Sequence, residues 1–494
     1  MNLQQWCQLD ERIYVAESDE RFKQYAGLAY SEQVIKRLAE LKSASAQLFL
    51  ENFKEPRELY LSSIEAIADS STKALELKLY SLRNKKVVSS KAKFAGSPVN
   101  WSSWRQFNSA EKDERKRKQV YDEFVRKTSY LSPVIEARFD AIAKAYSEHS
   151  GGSGGKKRLG PLDGYLENEG LSYSQLMDFV KGMGGQAKKP FQRALAEMSG
   201  KVLGRPAEYY DDFYFFRNRV YSDLEKHFAH IDPPAQVKRT LAAMGFDLSR
   251  IHFDTKDRKD KYPSPICFFV HVPNDVRVLY KSESPYFDLQ GCYHEMGHAT
   301  HATSIDPAAE YWDRYGFPMG VAEIFSIFLE RLTKNRRYLK KSLGVTAADD
   351  DDDKVLDELQ ARNNFMELYF VTFYTANSLM KAEFWRRRLS MDGASKLYAR
   401  LARQYTGLDI PGEYWMLHHI LPDAIMYVPS YLLAAVRAAE LERHLQDTFG
   451  EDWWEEEGAG RRIREIMRPG AKIDLSAFSK MDSSLFMKEI TSAG

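Results

Sequence analysis

Cysteine is scarce in this chain: Cys7, Cys267 and Cys292 are the only three among 494 residues. Thiols so few and so scattered make neither a disulfide framework nor a thiolate zinc site, and they point to a reducing compartment. Net charge is nearly absent too. The 71 Lys and Arg cancel the 70 Asp and Glu to leave +1, so no global field advertises nucleic acid or a membrane surface as partner. No uninterrupted run of about 18 apolar residues occurs, which leaves no transmembrane helix to expect. The opening Met-Asn-Leu-Gln-Gln-Trp-Cys lacks the basic and then apolar pattern of a secretory leader. Internal repeats are missing as well. These absences predict a soluble, cytoplasmic protein with neither nucleic acid nor membrane among its partners.

What is present is a large apolar inventory. Hydrophobic residues make up 44% and aromatics 13%, which excludes wholesale disorder. The length allows about three domains. From Ile35 to about Ala145, apolar residues recur at helical spacing (Leu48, Leu50, Phe53; Ile64, Ile67), with Glu and Lys on the other faces. The mixed-sign run Glu111–Lys118 reads as a solvated helix face. Ser150–Gly155 has flexible-linker composition, and the five Asp before Lys354 read as an acidic loop leading into a helix over Val355–Met380. Ile266–Val272 and Val276–Tyr280 are short β-prone runs separated by Pro-Asn-Asp, which predicts a small antiparallel hairpin. Helices return after Leu289. The expected fold is mainly α with a small antiparallel β element, divided into an N-terminal helical region, 1–250, and a region 251–494 that carries the chemistry.

That chemistry lies in Tyr293-His-Glu-Met-Gly-His-Ala-Thr-His301. His294 and His298 are four residues apart, so on a helix they share one face and can present two imidazole nitrogens to one metal ion. Glu295, beside His294, reaches the edge of the same site without ligating and is placed to take a proton from the attacking water. A catalytic zinc needs a third protein ligand. His301 falls near the same helix face, but one straight helix rarely delivers three ligands to a tetrahedral ion. Glu323 is the better candidate: a lone carboxylate among Val321, Ile324, Phe325, Ile327, Phe328 and Leu329, 25 residues beyond His298. A carboxylate is seldom buried unless it is paired or bound to metal. Glu330, beside Arg331, reads as a surface ion pair, and Ser326 as a residue that could orient a ligand.

The pattern His294-Glu-x-Gly-His298-Ala-x-His301, followed by Glu323-x-x-Ser326, resembles the thimet oligopeptidase and oligoendopeptidase F family of zinc peptidases. The lead-in Arg277-Val-Leu-Tyr280…Asp288-Leu-Gln-Gly-Cys-Tyr is similar to that family's as well, and angiotensin-converting enzyme is a more distant look-alike. The likeness runs from about Pro265 to Leu441. It implies a two-lobed helical shell around a deep substrate channel, with one zinc ion per chain on His294, His298 and Glu323. By the same likeness, His419 and Tyr431, twelve residues apart, would stabilise the oxyanion, with Tyr427 a second candidate tyrosine. The family's Tyr or Gly-Tyr between those positions is replaced here by Val428-Pro429. His271, in the predicted hairpin, is either a substrate contact or a plain strand histidine. The implied activity is hydrolysis of internal bonds in short unstructured peptides, with Glu295 as general base. A carboxydipeptidase-type exopeptidase and a non-catalytic peptide-binding relative are the alternatives.

Overall fold

A computed structural model describes residues 1–101, 103–150, 159–282, 284–345, 352–417, 425–474, 478 and 481–491, with the side chains of 83–85 and of 352–353 left aside. The fold is mainly α, as expected, with two small sheets among the described residues. No described helix is long and apolar enough to cross a membrane. The chain divides into two compact units. One comprises Met1–Ile67, Leu224–Gln360 and Leu433–Phe486; the other comprises Ala68–Asp223, Ala361–Leu432 and Met487–Gly494. This partition differs from a single boundary near residue 250, because segments distant along the chain fold together in each unit.

The first unit carries the motif. Its sheet has three strands in the spatial order Ile251–Asp254, Asp275–Leu279, Ile266–His271. The last two form the expected antiparallel hairpin, with Cys267 opposite Val278 and Phe269 opposite Val276. Ile251–Asp254 was not expected and pairs in parallel with Asp275–Leu279, so the sheet is mixed. Four residues are too short a run to announce a strand, and this one exists because its neighbour supplies the ladder. A 20-residue helix, Pro285–Ser304, follows the hairpin and holds both motif histidines (the histidine helix). Its inner face buries Leu289, Cys292, Tyr293, Met296 and Ala299 completely. Ser284 at its N-cap donates no side-chain cap. The Glu225 carboxylate does that work, accepting the Tyr286 N–H at 2.9 Å and the Ser284 hydroxyl at 2.6 Å. A negative charge at a helix N-terminus satisfies open N–H groups and complements the dipole. The 13-residue helix Met319–Arg331 (the glutamate helix) packs against it, with the Phe325 ring 4.6 Å from that of His301.

The second unit corrects the reading of 35–145 as helix throughout. Val87–Phe94 and Ser97–Asn100 form an antiparallel hairpin. Its two-residue turn, Ala95-Gly96, takes φ values of 48° and 81°. That left-handed pair matches the twist of two-stranded ribbons, and Gly96 adopts it without steric cost. The 31-residue helix Tyr173–Leu203 and the part of the helix Asp352–Arg387 from Ala361 onward make up much of the rest. Residues 151–155 and three of the five Asp, 349–351, lie outside the described residues.

Candidate active site

One turn of the histidine helix separates His294 from His298, and their ring centroids stand 5.0 Å apart with the planes at 83°. Glu323 reaches the same point from the glutamate helix. Its Oε2 lies 3.4 Å from His294 Nε2 and 3.5 Å from His298 Nε2. One donor atom from each of the three residues falls within 4.8 Å of the others. Two imidazoles and a carboxylate around one point form a donor set that divalent zinc favours. The donor chemistry therefore fits the zinc that the motif implied.

A glycine brings the two helices this close. A Cβ at Gly297 would stand 2.2 Å from the Phe325 carbonyl oxygen and 2.6 Å from the Ser326 Cα, both on the glutamate helix. Any side chain there would push Glu323 away from the histidines. The signal in the sequence is a glycine between the two motif histidines, one position before His298.

Two further residues fix the donors. Ser326 Oγ donates to Glu323 Oε2 at 2.9 Å, the orienting role anticipated for it. Glu330 accepts from His294 Nδ1 at 3.0 Å and pairs through its other oxygen with Lys334 Nζ at 2.7 Å. The expectation of a surface ion pair for Glu330 is therefore only half of its role. Its side chain is about four-fifths buried and turns to His294, while Arg331 turns to Glu442 at 2.6 Å. The signal was spacing: residues seven apart, Glu323 and Glu330, lie two turns apart on one helix face. Burial pushes the Glu330 carboxyl up, but Lys334 and His294 outweigh it and hold the pKa down at about 2. Burial lowers the His294 pKa, yet Glu323 and Glu330 together raise it well above the usual value.

Glu295 sits half-buried beside His294. Its charge adds to burial in pushing up the thiol of Cys267, on the neighbouring strand. His301 is not part of the donor group. It is 1% exposed, packed between Phe317 at 5.1 Å and Phe325 at 4.6 Å, and burial depresses its pKa to about 3. His271 is half-exposed, with Nε2 3.8 Å from Glu11. Tyr427 and Tyr431 belong to the second unit, where they open the helix Tyr427–Phe449. Their hydroxyls share a hydrogen bond of 3.2 Å, and the Tyr431 ring stacks obliquely on Tyr374 at 5.6 Å. His419 lies outside the described residues, within 418–424.

No protein-family model matches this chain, and no curated protein matches it by sequence. Solved structures do. The Pyrococcus furiosus carboxypeptidase in its Apo-Mg form superposes with a TM-score of 0.63 at 15% identity, over 100% of this chain and 99% of that one. BsuCP superposes with a TM-score of 0.60 at 17% identity, over 99% and 98%. This chain shares their fold. The likeness runs from end to end, well beyond the Pro265–Leu441 stretch that carries the motif resemblance.

Proposed function

We propose that the chain is a metal-dependent peptidase that hydrolyses short unstructured peptides. The observation that carries this reading is the convergence of His294, His298 and Glu323 within 4.8 Å, with Glu295 next to the first of them. Zinc bound there would supply Lewis acidity toward the scissile carbonyl and lower the pKa of water toward neutrality. The protein's own residues do the rest. Glu330 holds the proton on His294 Nδ1, which leaves the Nε2 lone pair facing the donor point. Ser326 holds the Glu323 carboxylate in place. Glu295 accepts the proton of the attacking water and hands it to the leaving amine nitrogen. Tyr431, Tyr427 and His419 are the proposed hydrogen-bond donors to the oxyanion.

Two modes of cleavage have specific support. The motif resemblance favours internal cleavage by an oligopeptidase, and the whole-chain likeness to a carboxypeptidase favours removal of residues from the C-terminus. Incubation with a mixed peptide library, with and without chelator, followed by mass spectrometry of the products, separates them. Internal cuts that vanish with chelator support the oligopeptidase. Stepwise loss from the C-terminus supports the carboxypeptidase. Cleavage that survives complete metal removal overturns both. Glu323→Ala should lower bound zinc well below one ion per chain, as read by elemental analysis.

A further inference from the structure

The far end of the histidine helix borders a cavity that the metal centre does not use. Thr303 and Ser304 line it together with Phe246, Arg250, Arg464 and Arg468, and its volume is about 340 Å³. Measured along the helix, it begins roughly 7.5 Å beyond His298, at Thr303. Arg468 is engaged: its Nε and Nη2 both donate to Asp306 Oδ2, at 3.0 and 2.8 Å. Arg464 is fixed but unneutralised. One of its hydrogens goes to the Met244 carbonyl at 3.0 Å, and its guanidinium lies over the Phe246 ring, 5.0 Å from the centroid. Among the described residues no carboxylate comes within ion-pair distance of Arg464 or of Arg250, and the Arg250 side chain makes no hydrogen bond. Asp247 is the other acid in the lining; its carboxylate accepts the Ser249 N–H at 2.9 Å and is stabilised by the nearby charge of Arg250, without ion-pair contact. Beside Arg464, Glu457 and Arg461 oppose each other in sign. The helix C-terminus adds about half a negative charge. The guanidinium groups of Arg250 and Arg464, neither of them in an ion pair, outweigh Asp247 and that half charge together.

Guanidinium is a planar fork of donors that matches the oxygens of phosphate, and it is weakly enough hydrated to give up water for them. We propose that this cavity is a second ligand site, separate from the metal centre, which takes a phosphate-class oxyanion through Arg250 and Arg464. Phe246 packs against one fork, and Ser304 is a further polar residue on the wall. The ligand is either the free ion or a phosphate ester on a larger body, and both present the same oxygens.

Isothermal titration calorimetry of the metal-loaded protein tests this, at ionic strength held constant with chloride. Inorganic phosphate probes the free ion and phenyl phosphate the ester, and saturable binding of either supports the site. Arg250→Gln, which removes no hydrogen bond of the folded protein, should weaken that binding at least tenfold, and Arg464→Gln should do so again. Glu323→Ala should bind the same probe as the parent does, which separates this site from phosphate held by zinc. Binding of neither probe above the chloride background overturns the proposal. So does binding that Arg250→Gln leaves unchanged in a protein whose unfolding midpoint is intact, or binding that disappears with Glu323→Ala.

Discussion

A carboxylate that is 3% exposed inside an apolar helix would be costly to ionise without compensation, and Glu323 has two imidazoles and a serine hydroxyl around it. That is why one residue decides the chemistry of the site. Removing the proton carrier while sparing the ligands should separate binding from turnover. Glu295→Gln is expected to hold zinc at the parental stoichiometry and to lose about 10²–10⁴-fold in kcat. Retained turnover would give the proton to another group. Glu330 acts through His294, so Glu330→Gln should weaken zinc binding about 10–100-fold. Competition with a chromophoric chelator measures this, and unchanged affinity would reduce Glu330 to the surface ion pair first expected. The pH dependence has a definite sign. Glu323 and Glu330 raise the proton affinity of His294 when no metal is bound, and a ligating imidazole must be unprotonated at Nε2. Zinc affinity should therefore fall as pH falls.

At the scale of elements, the site depends on how closely two helices approach. Gly297 faces backbone on the glutamate helix, which cannot swing aside as a side-chain tip can. Gly297→Ala is therefore expected to destabilise by about 1–3 kcal/mol or more, and to lower zinc content in the same step. Calorimetric unfolding and metal analysis read the two effects. A stable variant with full zinc would mean that the helices can separate without cost to the donors. The histidine helix was legible because two imidazoles at a spacing of four have one helical reading. The strand Ile251–Asp254 and the hairpin Val87–Asn100 were not. The first alternates apolar and polar residues over only four positions and pairs non-locally, and the second is turn-driven and opens on Val-Val-Ser-Ser without alternation.

At the scale of the whole molecule, acid stability follows from what is buried neutral. His301 has a pKa of about 3 when folded, because burial disfavours its charged form. The unfolded chain protonates the same imidazole near about 6.5. Above the unfolded value the group is neutral in both states and pH has no effect through it. Below it only the unfolded chain binds the proton, so stability falls by about 1.4 kcal/mol per unit as pH drops toward 3. Urea unfolding of the parent and of His301→Gln from neutral pH to about pH 4.5 tests the point. The parent curve should be the steeper, and parallel curves would refute the assignment. The Glu330 carboxyl titrates lower, held near 2 by Lys334 and His294 after burial is overcome, so its contribution is present above the ordinary carboxyl range and lost only in stronger acid.

From the sequence alone came the mainly helical class and the grouping of His294 and His298 on one helix face, because helical periodicity and the four-residue spacing of imidazoles are local properties of a chain. Ser326 was legible as a helper for the same reason, being one turn from Glu323. Only the tertiary structure brought Glu330 to His294 and Gly297 to the Phe325 carbonyl, and only it enclosed Arg250 and Arg464 around one cavity. Those contacts join residues tens to hundreds of positions apart. What decides them is the packing of one element on another, which no local pattern records.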